Sequence, residues 1–258
     1  MNDTLPLAGL NIVVTRPRNQ LTELDQRIRK LGGNCIQFPL LEISALSDLQ
    51  PLRNLIKRLH KFKLAIFISP NAVRYAMEMI RKAGGLPQDL KVATVGLGSA
   101  KVLNELGVNH VISPTEKFDS ESLLELPELK NVQGLPVVIF RGDPGRTLLG
   151  DTLKNRGAEV EYITCYHRTK LSFEVSDFLD NKPNILYVTS NEVMQYFFNM
   201  LDTKAIEKLS DVTLFVSNAR IASTAQQRGW SKIMVSDDGD EGFLTSIVVW
   251  AENKKRQA

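Results

Sequence analysis

Cysteine and histidine are scarce in this 258-residue chain, which carries two of the first and three of the second. Cys35 and Cys165 stand far apart in sequence, so neither a disulfide scaffold nor a four-ligand structural zinc site can be built from cysteine. His60, His110 and His167 are isolated from one another, and metal clusters need neighbours; no metal is expected. No apolar run approaches the ~18 residues of a membrane-spanning helix. The first residues lack a basic stretch followed by an apolar one, which argues against a secretory signal and makes the cytoplasm the expected address. Charge of one sign is also lacking. Lys plus Arg is 32 against 29 for Asp plus Glu, and a net charge of +3 is too small to imply a nucleic-acid partner or a membrane surface. The familiar hydrolase, zinc-protease and Walker A motifs are missing. Gly96-Leu-Gly-Ser-Ala-Lys101 is an imperfect dinucleotide fingerprint with no acidic partner after the next strand, so no nicotinamide cofactor is expected. The acidic run Asp237–Glu241 lacks the calcium-loop spacing and reads as a solvated loop, and Lys254–Arg256 reads as a frayed end.

What is present is alternation. Ile12–Thr15, Cys35–Leu41, Leu64–Ile68, Val92–Val95, Val137–Phe140, Val160–Ile163, Ile185–Val188, Thr213–Val216 and Ile233–Val235 are short and rich in β-branched residues, the pattern of buried strands. Between them apolar residues recur at helical spacing, as in Leu21, Leu24, Ile28 and Leu31, or Val73, Ala76, Met77 and Ile80. Strand–helix alternation predicts an α/β fold with parallel sheets. Ser113–Pro127 and Lys170–Pro183 are polar and weakly periodic, and read as loops.

Three strand–turn–helix units occur twice. Phe67–Val73 resembles Tyr187–Val193 at an offset of 120, the Arg16 and Gly32 unit resembles the Arg141 and Gly157 unit at 125, and Gly96–Ala100 resembles Asn218–Ala222 at 122. The Arg-bearing unit comes first in one set and last in the other. The simplest topology is a discontinuous first domain, residues 1–38 with 168–258, and a second domain, residues 41–165, inserted within it. The chain then crosses twice, near Pro39–Ile43 and Cys165–Thr169, which predicts a two-stranded hinge.

Open parallel sheets bind ligands at the C-terminal strand ends, where helix N-termini offer free N–H groups. The first copy places Thr15 and Arg16, Thr189, Ser190 and Asn191, and Asn218 and Arg220 there; the second places Ser69, Asn71 and Ser99, then Arg141, Gly142, Gly145 and Arg146. Ser, Thr and Asn in such places also serve as plain helix caps, and one residue can do both jobs. An arginine just past a buried strand needs an anion, either an acidic side chain or a ligand. For Arg141 and Arg146 the internal candidates are Asp143 and Asp151. The stretch Arg141–Arg146 is Gly-rich and basic, the pattern of an anion-binding turn, and two domains each presenting an Arg-bearing edge suggest a wide cleft for a large polyanion.

The segments Val14–Pro17, Phe67–Val73, Val95–Ala100, Arg141–Arg146, Cys165–Arg168, Val188–Ser190 and Ala219–Ala222 occur in the order and spacing of a known family. The chain resembles the uroporphyrinogen-III synthases along nearly its whole length. That resemblance implies two α/β domains on a two-stranded linker, and a reaction without metal or organic cofactor. Its substrate would be hydroxymethylbilane, a linear tetrapyrrole with acetate and propionate side chains, closed with loss of water and inversion of the last ring. Tyr166 matches the family's tyrosine before the second crossing and is the candidate proton donor to the departing hydroxyl; Arg168 closes the same motif. Read as structure alone, Tyr166 is a packing residue whose hydroxyl satisfies a backbone group. Many bacterial members have Ser where this chain has Asn218. A monomer is expected. The alternative from another class is a non-catalytic two-domain sensor that closes on a small anion.

Overall fold

The structure, a computed structural model, describes residues 5–143, 145, 147–236 and 239–257. The chain divides into two compact units, residues 1–42 with 169–258 and residues 43–168. It passes from one to the other between Glu42 and Ile43 and again between Arg168 and Thr169.

In chain order the first unit opens with β1 (Asn11–Val14), α1 (Thr22–Lys30) and β2 (Asn34–Gln37), and β3 (Leu41–Ala45) leads out of it. The second unit continues with α2 (Gln50–Lys57), β4 (Leu64–Phe67), α3 (Pro70–Lys82), β5 (Lys91–Thr94), α4 (Leu97–Glu105), α5 (Ser120–Leu124), α6 (Pro127–Lys130), β6 (Pro136–Asp143) and α7 (Leu148–Asn155). The return strand β7 (Glu159–Lys170) leads to α8 (Val175–Asp180), β8 (Ile185–Val188), α9 (Asn191–Met200), α10 (Thr203–Lys208), β9 (Thr213–Val216), α11 (Ala219–Gln227), β10 (Ile233–Val235) and α12 (Gly239–Gln257).

Each unit has one five-stranded sheet, ordered β10-β9-β8-β1-β2 in the first and β3-β7-β6-β4-β5 in the second. All pairs in the first sheet are parallel, as are β7-β6, β6-β4 and β4-β5 in the second. Strands such as Leu-Ala-Ile-Phe in β4 and Ile-Leu-Tyr-Val in β8 are buried throughout because apolar layers cover both faces. Alternation divides the strand residues between those layers. In the first unit Val13, Leu186, Val188 and Leu214 join one cluster, while Ile12, Val14, Ile185 and Tyr187 join the other. In the second unit Ala65, Phe67, Val138 and Phe140 face one way and Leu64, Ile66, Val137 and Ile139 the other.

The repeated units occupy matching places. The run β9-β8-β1-β2 in one sheet corresponds, in the same spatial order, to β5-β4-β6-β7 in the other, although their order along the chain differs. Val14 pairs with Tyr187 and Ile139 with Ile66. With the Arg-bearing units offset by 125, this pairing aligns Ile66 with Tyr187, at 121 rather than the expected 120. Ser69 therefore corresponds to Ser190, and both are N-caps.

Several expectations are corrected. Cys35–Leu41 is not one strand: β2 stops at Gln37, and Pro39, which has no N–H to give a ladder, separates it from β3 in the other sheet. β7 runs to Lys170, well beyond Ile163. Each expected loop contains a helix. In α5, Asp119 caps the Ser122 N–H and Leu123 and Leu124 are buried; in α8, Phe178 is buried against Phe38 and Phe197. These helices are too short to display periodicity. Residues 239–241 of the acidic run begin α12, and Lys254–Arg256 form its last turn, where Lys255 donates to the Leu5 and Pro6 carbonyls. Asp237 and Asp238 lie outside the described residues. Cys35 and Cys165 are both buried free thiols.

Candidate active site

Both sheets reverse their direction of winding at one position, between β1 and β8 and between β4 and β6. At such a switch point the loops diverge and leave a crevice at the C-terminal strand ends. The sequence candidates collect around these two places, one in each unit.

In the first unit the chain leaves β1 at Thr15 and Arg16. Thr15 is 1% exposed, and its hydroxyl donates to the Tyr187 carbonyl at 3.1 Å, which makes it a structural tie across the switch point. Arg16 lies over the Tyr187 ring at 5.4 Å and is ion-paired through Nη1 with Asp240, in the first turn of α12. Of the two anions its position allowed, this structure supplies the acidic side chain. Tyr187 stacks on Phe243 at 3.7 Å, and burial pushes its phenol above the ordinary value. Thr189 and Ser190 follow β8, half-buried. Ser190 is the N-cap of α9 but makes no side-chain capping bond. Asn191 begins that helix and accepts from Thr224 at 2.7 Å. Past β9, Ser217 donates to the Thr189 carbonyl and accepts from the Asn218 amide, both at 3.4 Å. Asn218 caps α11 by accepting from the Ile221 N–H at 3.1 Å, and Arg220 is exposed in the first turn. Asn therefore fills the capping role here.

In the second unit Ser69 ends the β4 segment and caps α3, accepting from the Ala72 N–H at 3.1 Å. The Tyr166 hydroxyl lies 3.0 Å from the same Ser69 oxygen. Tyr166 is 4% exposed, and its ring stacks on Tyr75 with centroids 5.8 Å apart. It is thus a packed residue, as its structural reading holds, but its hydroxyl meets a side chain at a helix N-terminus. Its direction comes from a slip in the β6-β7 ladder. Arg141 pairs with Thr164 and Gly142 with Tyr166, so Cys165 is skipped. Strict alternation would send Cys165 and Tyr166 to opposite faces; the slip brings both into one cluster with Ile163. Burial pushes the Cys165 thiol up to about 12.

The two glycines of the turn have packing duties. A Cβ on Gly142 would stand 2.4 Å from Tyr166 Cζ, so only glycine lets that ring lie across β6. A Cβ on Gly145 would meet the Gly142 carbonyl at 3.0 Å and Arg141 Cδ at 3.1 Å. Arg141 lies 4.2 Å over the Tyr162 ring, with Nη1 3.5 Å from the Gly145 carbonyl. Tyr162 donates to the Thr147 carbonyl at 2.9 Å, and burial, with Asp151 nearby, raises its pKa. Asn71 is in the first turn of α3, and Arg168 is half-buried on β7. Ser99 is 2% exposed and turned inward in the first turn of α4, where Leu97 and Gly98 face outward; as an outward hydroxyl donor it is corrected. Arg146 lies outside the described residues.

The sequence reading missed Tyr75, Tyr162, Tyr187, Ser217 and Asp240. Tyr187 lay inside a run read as apolar, and Asp240 inside one read as solvated. Among the described residues no group of acidic, His and Cys side chains forms a candidate metal site, and no helix is long and apolar enough to cross a membrane.

Comparison with known proteins identifies the family and the fold. Residues 22–245 match the family model described as Uroporphyrinogen-III synthase HemD. The chain is 32% identical over 244 residues to the uroporphyrinogen-III synthase of Escherichia coli K12, covering 91% of this chain and 98% of that one. It is 32% identical over 241 residues to the Salmonella typhimurium enzyme, with the same coverage. In fold it is similar to a mutant uroporphyrinogen III synthase of the extremely thermophilic bacterium Thermus thermophilus, with a TM-score of 0.70 at 19% identity over 95% of this chain and all of that one. The span of the family match and the identity to the two enterobacterial enzymes place this chain in the uroporphyrinogen-III synthase family.

Proposed function

We propose that the chain closes hydroxymethylbilane to uroporphyrinogen III at the rim of strand ends just described, with Tyr166 as the proton donor. The reaction is that of a lyase in haem biosynthesis, the activity of the family. The observation that carries the assignment to Tyr166 is its hydroxyl, 3.0 Å from Ser69 Oγ at the N-terminus of the 13-residue helix α3. Ser69 already accepts from the Ala72 N–H, so its own proton is available to the phenol oxygen or to a ligand.

The carbon–oxygen bond of the hydroxymethyl group breaks with its electron pair on oxygen. That oxygen takes the phenolic proton, directly or through a bridging water, and leaves as water. The Ser69 hydroxyl and the positive end of the α3 dipole stabilise charge developing on the phenol oxygen. The proton shed when the closed ring regains aromaticity restores the phenol. Ring inversion is a matter of geometry, because the bilane closes unaided to the uninverted isomer. A 100-fold preference for the inverted product needs about 2.7 kcal/mol of differential transition-state stabilisation.

That selectivity is supported by donors for acetate and propionate groups on both units: Arg16, Thr189, Ser190, Asn218 and Arg220 on one, Ser69, Asn71, Arg141 and Arg168 on the other. Each charge-assisted contact contributes roughly 1.5–3 kcal/mol. The strands that carry the chain across, β3 and β7, are neighbours in one sheet, and we read them as a two-stranded hinge. We also keep the expectations of a cytoplasmic monomer that needs neither nucleic acid nor cofactor. Family membership removes the ground for the non-catalytic sensor.

The test is to add purified protein to fresh hydroxymethylbilane, oxidise the product and separate the porphyrin isomers. Isomer III in excess over the unaided isomer I is the expected result; isomer I alone overturns the proposal.

A further inference from the structure

The Arg16–Asp240 pair joins side chains 224 residues apart, so it is a tertiary contact and not a local accident of the turn. Arg16 stands at the β1/β8 switch point, and the two side chains are 17% and 29% exposed, mostly covered yet reachable. The contact engages the guanidinium through Nη1, one corner of a fork with five donors. The start of α12 is anchored by buried Phe243, while the pair made by Glu241 is exposed and contributes little. Glu241 pairs with Arg27, and Phe243 stacks on Tyr187. Beside the pair lies an oddity, since the Tyr187 hydroxyl is fully buried and has no hydrogen-bond partner among the described residues. Its polar neighbours are Arg16 and Ser236, which as side-chain contacts favour its ionised form, and Asp240, whose charge opposes it.

We propose that Asp240 is a built-in stand-in for a substrate carboxylate: it holds Arg16 in the free protein, the substrate displaces it, and the Tyr187 hydroxyl receives it. This rests on the reading of Arg16 as a substrate contact. The exchange conserves good hydrogen bonds. Arg16 trades one carboxylate for another, and Asp240 trades the guanidinium for a buried phenol whose other polar neighbours are Ser236 and Arg16. The consequence is low occupancy by weak ligands, since the cost of displacing Asp240 is common to every anion and only one with contacts to spare still binds. A small anion gains a single contact and must break a charge-assisted one to obtain it. A polycarboxylate brings its other contacts with it and bears the exchange easily. Asp240 thus keeps the rim from being occupied by the simple anions of its surroundings.

The test compares wild type with Asp240→Asn, which keeps the shape of the side chain, and with Glu241→Gln, which removes the neighbouring carboxylate from a pair outside the rim. Removing the competing charge should lower KM by about 3- to 10-fold with kcat nearly unchanged, as expected for a charged group facing an anionic ligand. Acetate, a single-contact anion, should inhibit Asp240→Asn at about 3- to 10-fold lower concentration than wild type by the same electrostatics. Glu241→Gln should leave both unchanged. Tyr187→Phe should raise KM in the wild-type background and have no effect on top of Asp240→Asn. Binding of uroporphyrin III, read by its fluorescence, follows the same exchange without turnover, so a failure of the reaction and a failure of the exchange are distinguishable. An unchanged or raised KM and porphyrin Kd in folded Asp240→Asn overturns the proposal. So does an equal fall in Glu241→Gln, which would make the effect one of bulk charge.

Discussion

Gly142→Ala adds one methyl group against the ring that carries the proposed chemistry. The new Cβ would lie 2.4 Å from Tyr166 Cζ, 2.5 Å from Cε2 and 2.8 Å from the hydroxyl, where ordinary contact begins at 3.4 Å. The ring must therefore retreat by about 1 Å, the gap between those distances and van der Waals contact. It has little room, being 4% exposed and stacked on Tyr75. Overpacking of this kind costs about 1–3 kcal/mol. For a chain of this size each kcal/mol lowers Tm by roughly 2–4 °C, so the expected loss is roughly 2–12 °C. The larger effect falls on turnover. A 1 Å shift carries the hydroxyl away from Ser69, and misplacement on that scale costs up to about 100-fold. The assay is initial-rate consumption of hydroxymethylbilane at 25 °C, with isomer analysis, beside thermal melts. Gly33→Ala is the control. Its Cβ would meet Ile12 Cδ1 at 2.8 Å and Ile28 Cγ2 at 2.9 Å in the other unit, away from the rim. It should lose comparable stability and keep near-wild-type turnover. If Gly142→Ala lost no more activity than Gly33→Ala, Tyr166 would not need its present position, and the chemistry assigned to it would fail.

Tyr166→Phe keeps the ring and removes the proton; it should lower turnover about 10- to 100-fold, the lower part of the range for general acids, with KM and Tm little changed. Wild-type turnover in a folded Phe variant would leave positioning as the whole of catalysis. The thiols should be inert in the native state, because burial pushes both Cys35 and Cys165 up to about 12 and so disfavours the thiolate. A thiol reagent at pH 8 should label neither cysteine before unfolding and both in denaturant, with native labelling rising only as pH approaches 12. Rapid labelling at pH 8 of a protein that remains folded would show that the thiols are not buried.

The architecture was largely legible because strand burial and the permuted repeat are local patterns. Ile185–Val188, Thr213–Val216 and Ile233–Val235 are strands with the bounds that their composition suggests. What escaped depends on partners distant in sequence. Pro39 marks a break within Cys35–Leu41, but nothing local reveals that the chain changes sheets there. The candidate site shows the same division. Strand ends and caps could be listed from spacing, and Ser69 and Asn218 are caps indeed. The ladder slip that aims Tyr166 at Ser69 involves two strands at once. The anion for Arg16 sits in a helix whose start resembled a solvated acidic loop.

The interrupted first sheet sets a timetable for synthesis. β1 pairs with β2 almost at once, but its other edge waits for β8, since Ile12 pairs with Ile185, 173 positions later. At 5–20 residues per second that partner leaves the ribosome roughly 10–35 s after β1. During the delay the edge of a hydrophobic strand is open to foreign pairing. The second unit is meanwhile emerging complete, with its strands β4, β5, β6 and β7 all contributed by a continuous stretch. Nascent chains should therefore acquire a protease-resistant second unit first, with the N-terminal segment as the part most in need of a chaperone until the last third of the chain arrives.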